Sequence, residues 1–147
     1  MEHYLDNSAT TQVLRPVAER ALELMVEEYG NPSSLHTRGF RARQRVEEAR
    51  ALVAQRLGAQ AEEITFTSGG TESDVQALYT GAALGAAAGK RHIISTQIEH
   101  HAVLHTLQAL QTQGFTVTLL PPSAAGLITP QQLAIKAAFK LVGILTK

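Results

Sequence analysis

Two short β-branched runs separated by a stretch of helical character restrict the fold more than any other feature of this sequence. Residues His92–Ser95 and Phe115–Leu120 read as strands, and His101–Gln113 between them reads as a helix. A connection of that length is a crossover rather than a hairpin, so the two strands are expected to run parallel. Upstream, Arg15–Tyr29 places Val17, Ala21, Leu22, Leu24, Met25 and Val26 mostly at helical spacing, and Gly30-Asn31-Pro32 stops it. Arg41–Leu57 is a second helix, with Val46, Ala49, Leu52, Val53 and Leu57 inward, charged residues outward and Gly58 as its C-cap. Glu63–Thr67 reads as a strand that ends at Ser68-Gly69-Gly70. A helix restarts at Thr71 with Val75, Leu78, Tyr79, Ala82 and Ala83 on one side, Gly81 and Gly85 weakening it. Alternating strands and helices predict an α/β fold with a mainly parallel sheet.

Composition narrows the function classes. The 147 residues, 44% of them hydrophobic, suffice for one ordinary core. Thirteen basic and thirteen acidic side chains cancel, so no bulk field draws the chain to nucleic acid or to an anionic membrane. Cysteine is absent, which excludes a disulfide framework, a thiolate metal site and a cysteine nucleophile within this stretch. The opening Met-Glu-His-Tyr-Leu-Asp lacks the basic and apolar regions of a secretory signal, and no apolar run is long enough to span a bilayer. The expectation is a cytoplasmic protein.

Three segments carry chemistry. Thr67-Ser68-Gly69-Gly70-Thr71-Glu72-Ser73 sets two glycines and several hydroxyls where a strand turns into a helix. Free amides and the helix dipole favour an anion there, and glycine permits its close approach. The same residues also suit a plain strand-to-helix turn. The nucleotide loop ending in Gly-Lys-Ser or Gly-Lys-Thr and the dinucleotide fingerprint with its third glycine are both absent. The second segment, Gln97-Ile98-Glu99-His100-His101-Ala102-Val103, follows a strand, where α/β sheets present ligand-binding loops. An imidazole here can stack on a flat ring, or serve as an exposed loop or helix-cap residue. His101 and His105, four apart, share a helical face, but no acidic or thiol ligand accompanies them at a metal-binding spacing. The third is the polar opening Asp6-Asn7-Ser8-Ala9-Thr10-Thr11, which also suits a terminal turn.

Taken in order, Tyr-Leu-Asp-Asn-Ser-Ala-Thr-Thr from Tyr4, Gly-Asn-Pro-Ser-Ser-Leu-His from Gly30, Phe-Thr-Ser-Gly-Gly-Thr-Glu-Ser from Phe66 and Ile-Glu-His-His-Ala-Val from Ile98 resemble the cysteine desulfurases of the class V aminotransferase group. The resemblance runs from Tyr4 to about Leu133. It implies the N-terminal part of a fold-type I pyridoxal-phosphate enzyme, a partial three-layer α/β fold. Residues 1–15 would contribute to the small domain and the active-site entrance. Residues 16–133 would form an incomplete large cofactor-binding domain, and 134–147 a divergent tail. The resemblance assigns Gly70 and Thr71 to the cofactor phosphate. It assigns His100, through the pattern Glu-His-x-Ala-Val, to the face of the pyridine ring, where the same histidine moves protons. Asp6, Asn7, Ala9 and Thr10 would lie near the substrate entrance, and Asn31, Ser33 and His36 close to the active site of a homodimer.

The implied reaction converts cysteine to alanine and a protein persulfide, whose sulfur passes to an acceptor in iron-sulfur cluster assembly or thiolation, with pyridoxal 5'-phosphate as the electron sink. The family's cofactor-bearing lysine, its aspartate beneath the pyridine nitrogen and its sulfur-accepting cysteine are expected further along a longer chain. Lys90, Lys136, Lys140 and Lys147 lie outside the Ser-x-His context of that lysine. The chain is therefore expected to be inactive alone and to need a complementary chain, unless it is a non-catalytic remnant or binding module with a phosphate pocket. From Ala134 it departs from the family pattern, as through a frameshift or truncation, although Lys136 and Lys140 permit a short basic amphipathic helix. Val75 stands where the family usually has asparagine.

Overall fold

The structure, a computed structural model, describes residues 3–137. The tail beyond Ala137, with Lys140 and Lys147, lies outside the described residues. The chain divides into two compact units, Met1–Thr65 and Phe66–Lys147.

The first unit holds helices α1 (Arg15–Val26) and α2 (Thr37–Leu57) and a 3-10 turn at Ala61–Glu63. Proline in the first turn starts α1, where no amide is needed. It ends three residues before the expected Tyr29, with Glu27 as its cap. Helix α2 starts four residues earlier than its apolar spacing predicts, because the His36 ring caps it: Nδ1 accepts the Gly39 amide at 3.3 Å. At the other end Gly58 sits in the left-handed region, φ 67°, and the Ala59 amide reaches back to the Ala54 carbonyl at 2.9 Å.

The expected inward stripes are only partly covered. No residue of α1 is buried, and Leu52 and Leu57 of α2 are exposed. Two helices and a turn enclose too little volume for a core of their own. An exposed charge chain instead links the helices: Glu28 lies 2.9 Å from Arg45 and 3.6 Å from Arg20, and Arg45 lies 3.1 Å from Glu48. The hydrogen bond from Arg45, with the nearby positive charges, holds the Glu28 carboxyl below the usual range.

The expected strand at Glu63–Thr67 does not form. Glu63 closes the 3-10 turn, its carboxylate accepting the Gln60 amide at 2.7 Å, and the Arg50 guanidinium donates to the Ile64 carbonyl. A β-branched run becomes a strand only against a ladder partner. Among the described residues, the two strands that do form pair with each other.

The second unit follows the predicted alternation: α3 (Gly70–Ala87), β1 (His92–Thr96), α4 (His101–Thr112), β2 (Thr116–Leu120) and α5 (Pro130–Ala137). Strands β1 and β2 are parallel, with His92 opposite Thr116 and Thr96 opposite Leu120, as the crossover length required. Leu78 and Ala82 of α3, Ile93 of β1, and Val103, Leu107 and Leu110 of α4 form the core, with Phe115 and Val117 packed against it. The buried stripe of α3 is Leu78, Ala82 and Gly85, whereas Tyr79 and Ala83, expected inside, are exposed.

One buried hydroxyl stands out. Ser95 is 7% exposed, and its Oγ has no hydrogen-bond partner among the described residues. An unpaired buried polar group costs stability. Ser95→Ala is therefore expected to raise the unfolding free energy by about 1 kcal/mol, checked by chemical denaturation. A loss of stability would mean that the hydroxyl is satisfied in solution.

Candidate functional site

The turn into α3 is built by side chains that organise the backbone while leaving the helix start uncapped. The Glu72 carboxylate accepts from the Ser68 amide at 2.8 Å and from the Ser68 hydroxyl at 2.5 Å. The hydroxyls of Thr67 and Ser73 lie 2.7 Å apart, and both reach the Gly69 carbonyl, at 3.2 and 3.3 Å. Gly69, the N-cap residue, has no side chain to cap with, so the first amides of α3 receive no side-chain acceptor. A Cβ placed on Gly69 or Gly70 would meet nothing within 4 Å. Neither glycine is demanded by the chain's own packing, and the space beside them is open. Thr71 is exposed next to it.

Both hydrogen bonds from Ser68, the side-chain bond first, hold the Glu72 carboxyl below its usual range. A carboxyl lowered by folding stabilises the native turn above its ordinary pKa and loses that contribution as pH falls through the lowered value. The Ser68 amide resonance is accordingly expected to titrate with a midpoint below the ordinary glutamate value in wild-type protein. It should stay flat over that range in Glu72→Gln.

The second part of the site lies where β1 ends. Thr96 Oγ1 donates to Glu99 Oε1 at 3.0 Å, and the Gln97 amide bonds the Leu120 carbonyl at 3.0 Å, tying the turn to the end of β2. His100 is the N-cap of α4, its Nδ1 accepting the Ala102 amide at 3.1 Å. It is thus both an exposed loop residue and a helix cap, two of the roles its position allowed. A cavity of about 600 Å³ opens here, lined by Thr96, Ile98, Glu99 and His100, by Leu120 at the strand end, and by Ile128, Thr129, Pro130 and Leu133. Its place at the carboxyl ends of parallel strands is where such sheets bind ligands.

The His101 and His105 rings stack at 5.6 Å, and no group of three or more potential metal-ligating side chains gathers among the described residues. No helix among the described residues is long and apolar enough to cross a membrane.

Gly70, Thr71 and His100 thus fall within the second unit, on the turns that open α3 and α4, helices that pack on each other through the common core. Gly70 and Thr71 do not line the His100 cavity. Asn7, Ala9, Thr10 and Asn31 belong to the first unit and are exposed. The Ala9 and Thr10 amides turn back onto the Asp6 carbonyl at 3.1 and 3.3 Å, and Thr10 Oγ1 lies 2.5 Å from the Tyr4 hydroxyl. Asn31 Oδ1 accepts the Ser33 amide at 2.9 Å, a side-chain turn that leads into the His36 cap. Sequence reasoning missed Thr96 and Ser95. The signal for Thr96 was its place at a strand end, three residues from an acceptor.

The family model of the class-V aminotransferases matches residues 3–146. The chain belongs to this family. The family is one of pyridoxal-phosphate-dependent enzymes, and the two relatives that follow bear the name cysteine desulfurase. Cysteine desulfurase IscS of Methanosarcina thermophila is 48% identical over 130 residues, 88% of this chain and 32% of that protein. The putative cysteine desulfurase IscS 1 of Bacillus subtilis is 46% identical over 134 residues, 88% of this chain and 34% of its own length. The chain therefore spans about a third of the length of the curated relatives it matches. Among solved structures, a NifS-like protein superposes with a TM-score of 0.83 at 42% identity, covering 90% of this chain and 36% of that one. DndA from Streptomyces lividans superposes with a TM-score of 0.80 at 41% identity, over 97% of this chain and 40% of its own. The α/β fold and the likeness to one part of a fold-type I enzyme agree with these matches.

The residues present fit a phosphate ester. An uncapped helix start with open space beside two glycines accepts an anion without displacing any side chain. Glu72, the acidic group nearby, is drawn back onto Ser68.

Proposed function

We propose that this chain carries the phosphate-holding and ring-facing part of a pyridoxal-phosphate-dependent cysteine desulfurase. The observation that carries the proposal is the uncapped glycine start of α3, in a unit where His100 also lines a cavity at the strand ends. The amides of Gly70 and Thr71, with the Thr71 hydroxyl, would hold the phosphate. The His100 imidazole would lie against the pyridine ring and hold a proton at Nε2, because its Nδ1 is committed to the Ala102 amide. When bound, the cofactor supplies an electron sink for the cysteine Cα–H bond. Asn7, Ala9, Thr10 and Asn31 would border the substrate entrance.

The 147 residues contain no cysteine, so a sulfur-accepting thiolate must come from outside them. Activity then requires a complementary stretch that brings a cofactor-bearing lysine and that cysteine, within a homodimer or a two-chain assembly, and a sulfur-acceptor protein downstream. Among the structural relatives, "SspA in complex with cysteine" is 38% identical, with a TM-score of 0.76 over 86% of this chain, and supports cysteine as the substrate. Co-expression with the remaining two thirds of a desulfurase is expected to yield alanine from cysteine when cofactor is present. A purified pair that binds cofactor and forms no alanine would sink the enzymatic reading. The second reading, a binding module with a phosphate pocket and no turnover, rests on the missing thiol and would survive that result.

A further inference from the structure

We infer that Thr96 is a positioning residue for His100, acting through Glu99 to fix which ring nitrogen faces the cavity. The inference deepens the reading of His100 as the ring-facing group and rests on it only where cofactor affinity is measured. The Ala102 amide can only donate, so His100 Nδ1, 3.1 Å away, must be an acceptor, and a neutral ring then carries its proton on Nε2. That choice lasts only while the His100 backbone stays extended, at φ −61° and ψ 150°, so that its ring reaches the first turn of α4.

Two bonds hold the three-residue turn that delivers His100. The Gln97 amide is fastened to the Leu120 carbonyl at the start of the turn. The Thr96 hydroxyl spans it to Glu99, the residue bonded directly to His100, and both Thr96 and Glu99 line the cavity. Without that span, the turn is held at its Gln97 end and, past Glu99, only through the His100 carbonyl, which accepts the Val103 and Leu104 amides at 2.9 and 3.1 Å and leaves the amide side of His100 free to turn. The His100 torsions then relax, the cap competes with water and the Nδ1–H tautomer becomes accessible. Glu99 is the acidic group in the cavity lining, and its Oε1 already accepts the Thr96 hydroxyl.

The test uses the full chain labelled with 15N in its histidines and four variants: Thr96→Val, Thr96→Ser, Glu99→Ala and the double variant that combines Thr96→Val with Glu99→Ala. His100→Ala is added to assign the ring signals. Two-bond proton-nitrogen spectra report the tautomer, and titration with pyridoxal phosphate reports affinity. Wild type and Thr96→Ser are expected to keep the Nε2–H pattern. Thr96→Val and Glu99→Ala should each move the ring toward mixed tautomers and weaken binding about fivefold, and the double variant should do no more than either alone. An unchanged tautomer in Thr96→Val, or additive losses in the double variant, would overturn the inference. If His100→Ala binds as well as wild type, the ring-facing reading falls, and the tautomer of Thr96→Val alone decides whether Thr96 positions the ring.

Discussion

Gly70→Asp should bind pyridoxal phosphate about a hundredfold more weakly than the wild-type chain while unfolding at no lower a temperature. The two effects come from one geometry. A carboxylate about 4 Å from a phosphate charge costs about 4 kcal/mol at an effective dielectric of 20, enough for that loss after partial relief by movement and screening. The fold itself has no objection to a side chain at this position. A Cβ there meets nothing within 4 Å, and Gly70 is not among the glycines with positive φ. Aspartate in the first turn of α3 also suits the helix dipole and removes the conformational freedom of glycine, together worth about 0.5–1 kcal/mol in favour of folding. Equilibrium dialysis with thermal melting checks both halves. A variant that binds as wild type would place the phosphate elsewhere, whereas one that melts early would mean the turn needs glycine for its own packing.

Leu110→Ala is expected to lower the stability of the second unit by about 3 kcal/mol, measured by chemical denaturation. Leu110 is 1% exposed at the centre of the cluster formed by Leu78, Ala82, Ile93, Val103 and Leu107. Truncation there removes buried methyl groups and leaves a cavity that α3, α4 and β1 cannot collapse into without breaking the β1–β2 ladder. The exposed Leu57 of α2 offers the contrast, since its replacement by Ala should cost well under about 1 kcal/mol. Equal losses at the two positions would mean that the cluster is not the core.

The second unit was legible because its signals are local. The β1–α4–β2 sequence shows a change of period at sharp boundaries, and the crossover length alone implied the parallel pairing. Gly58 was legible as a cap because a helix that ends in the left-handed region favours glycine there. The Glu63–Thr67 run was misread because strand formation depends on a neighbour that residue preferences do not supply, and a capped turn was the alternative within reach. The inward stripe of α2 was visible as a pattern, but burial requires a partner, and periodicity does not say whether one is present. At the site, the glycines of α3 and His100 stood out because their residue types are restricted by chemistry. The Thr96–Glu99 bond did not, since a threonine at a strand end with a glutamate three residues on carries no period and no composition signal beyond that position. Ser95 was equally silent: alternation placed it in a strand but not without a partner.

The cofactor reading turns on one contact, the phosphate held at the start of α3. Calorimetric titration of the purified chain with pyridoxal 5'-phosphate and, in parallel, with pyridoxal tests it most directly. Saturable binding of the phosphate ester is expected, displaced by inorganic phosphate, with binding of pyridoxal weaker by at least about tenfold. Equal affinity for the two compounds, or binding insensitive to inorganic phosphate, would contradict it.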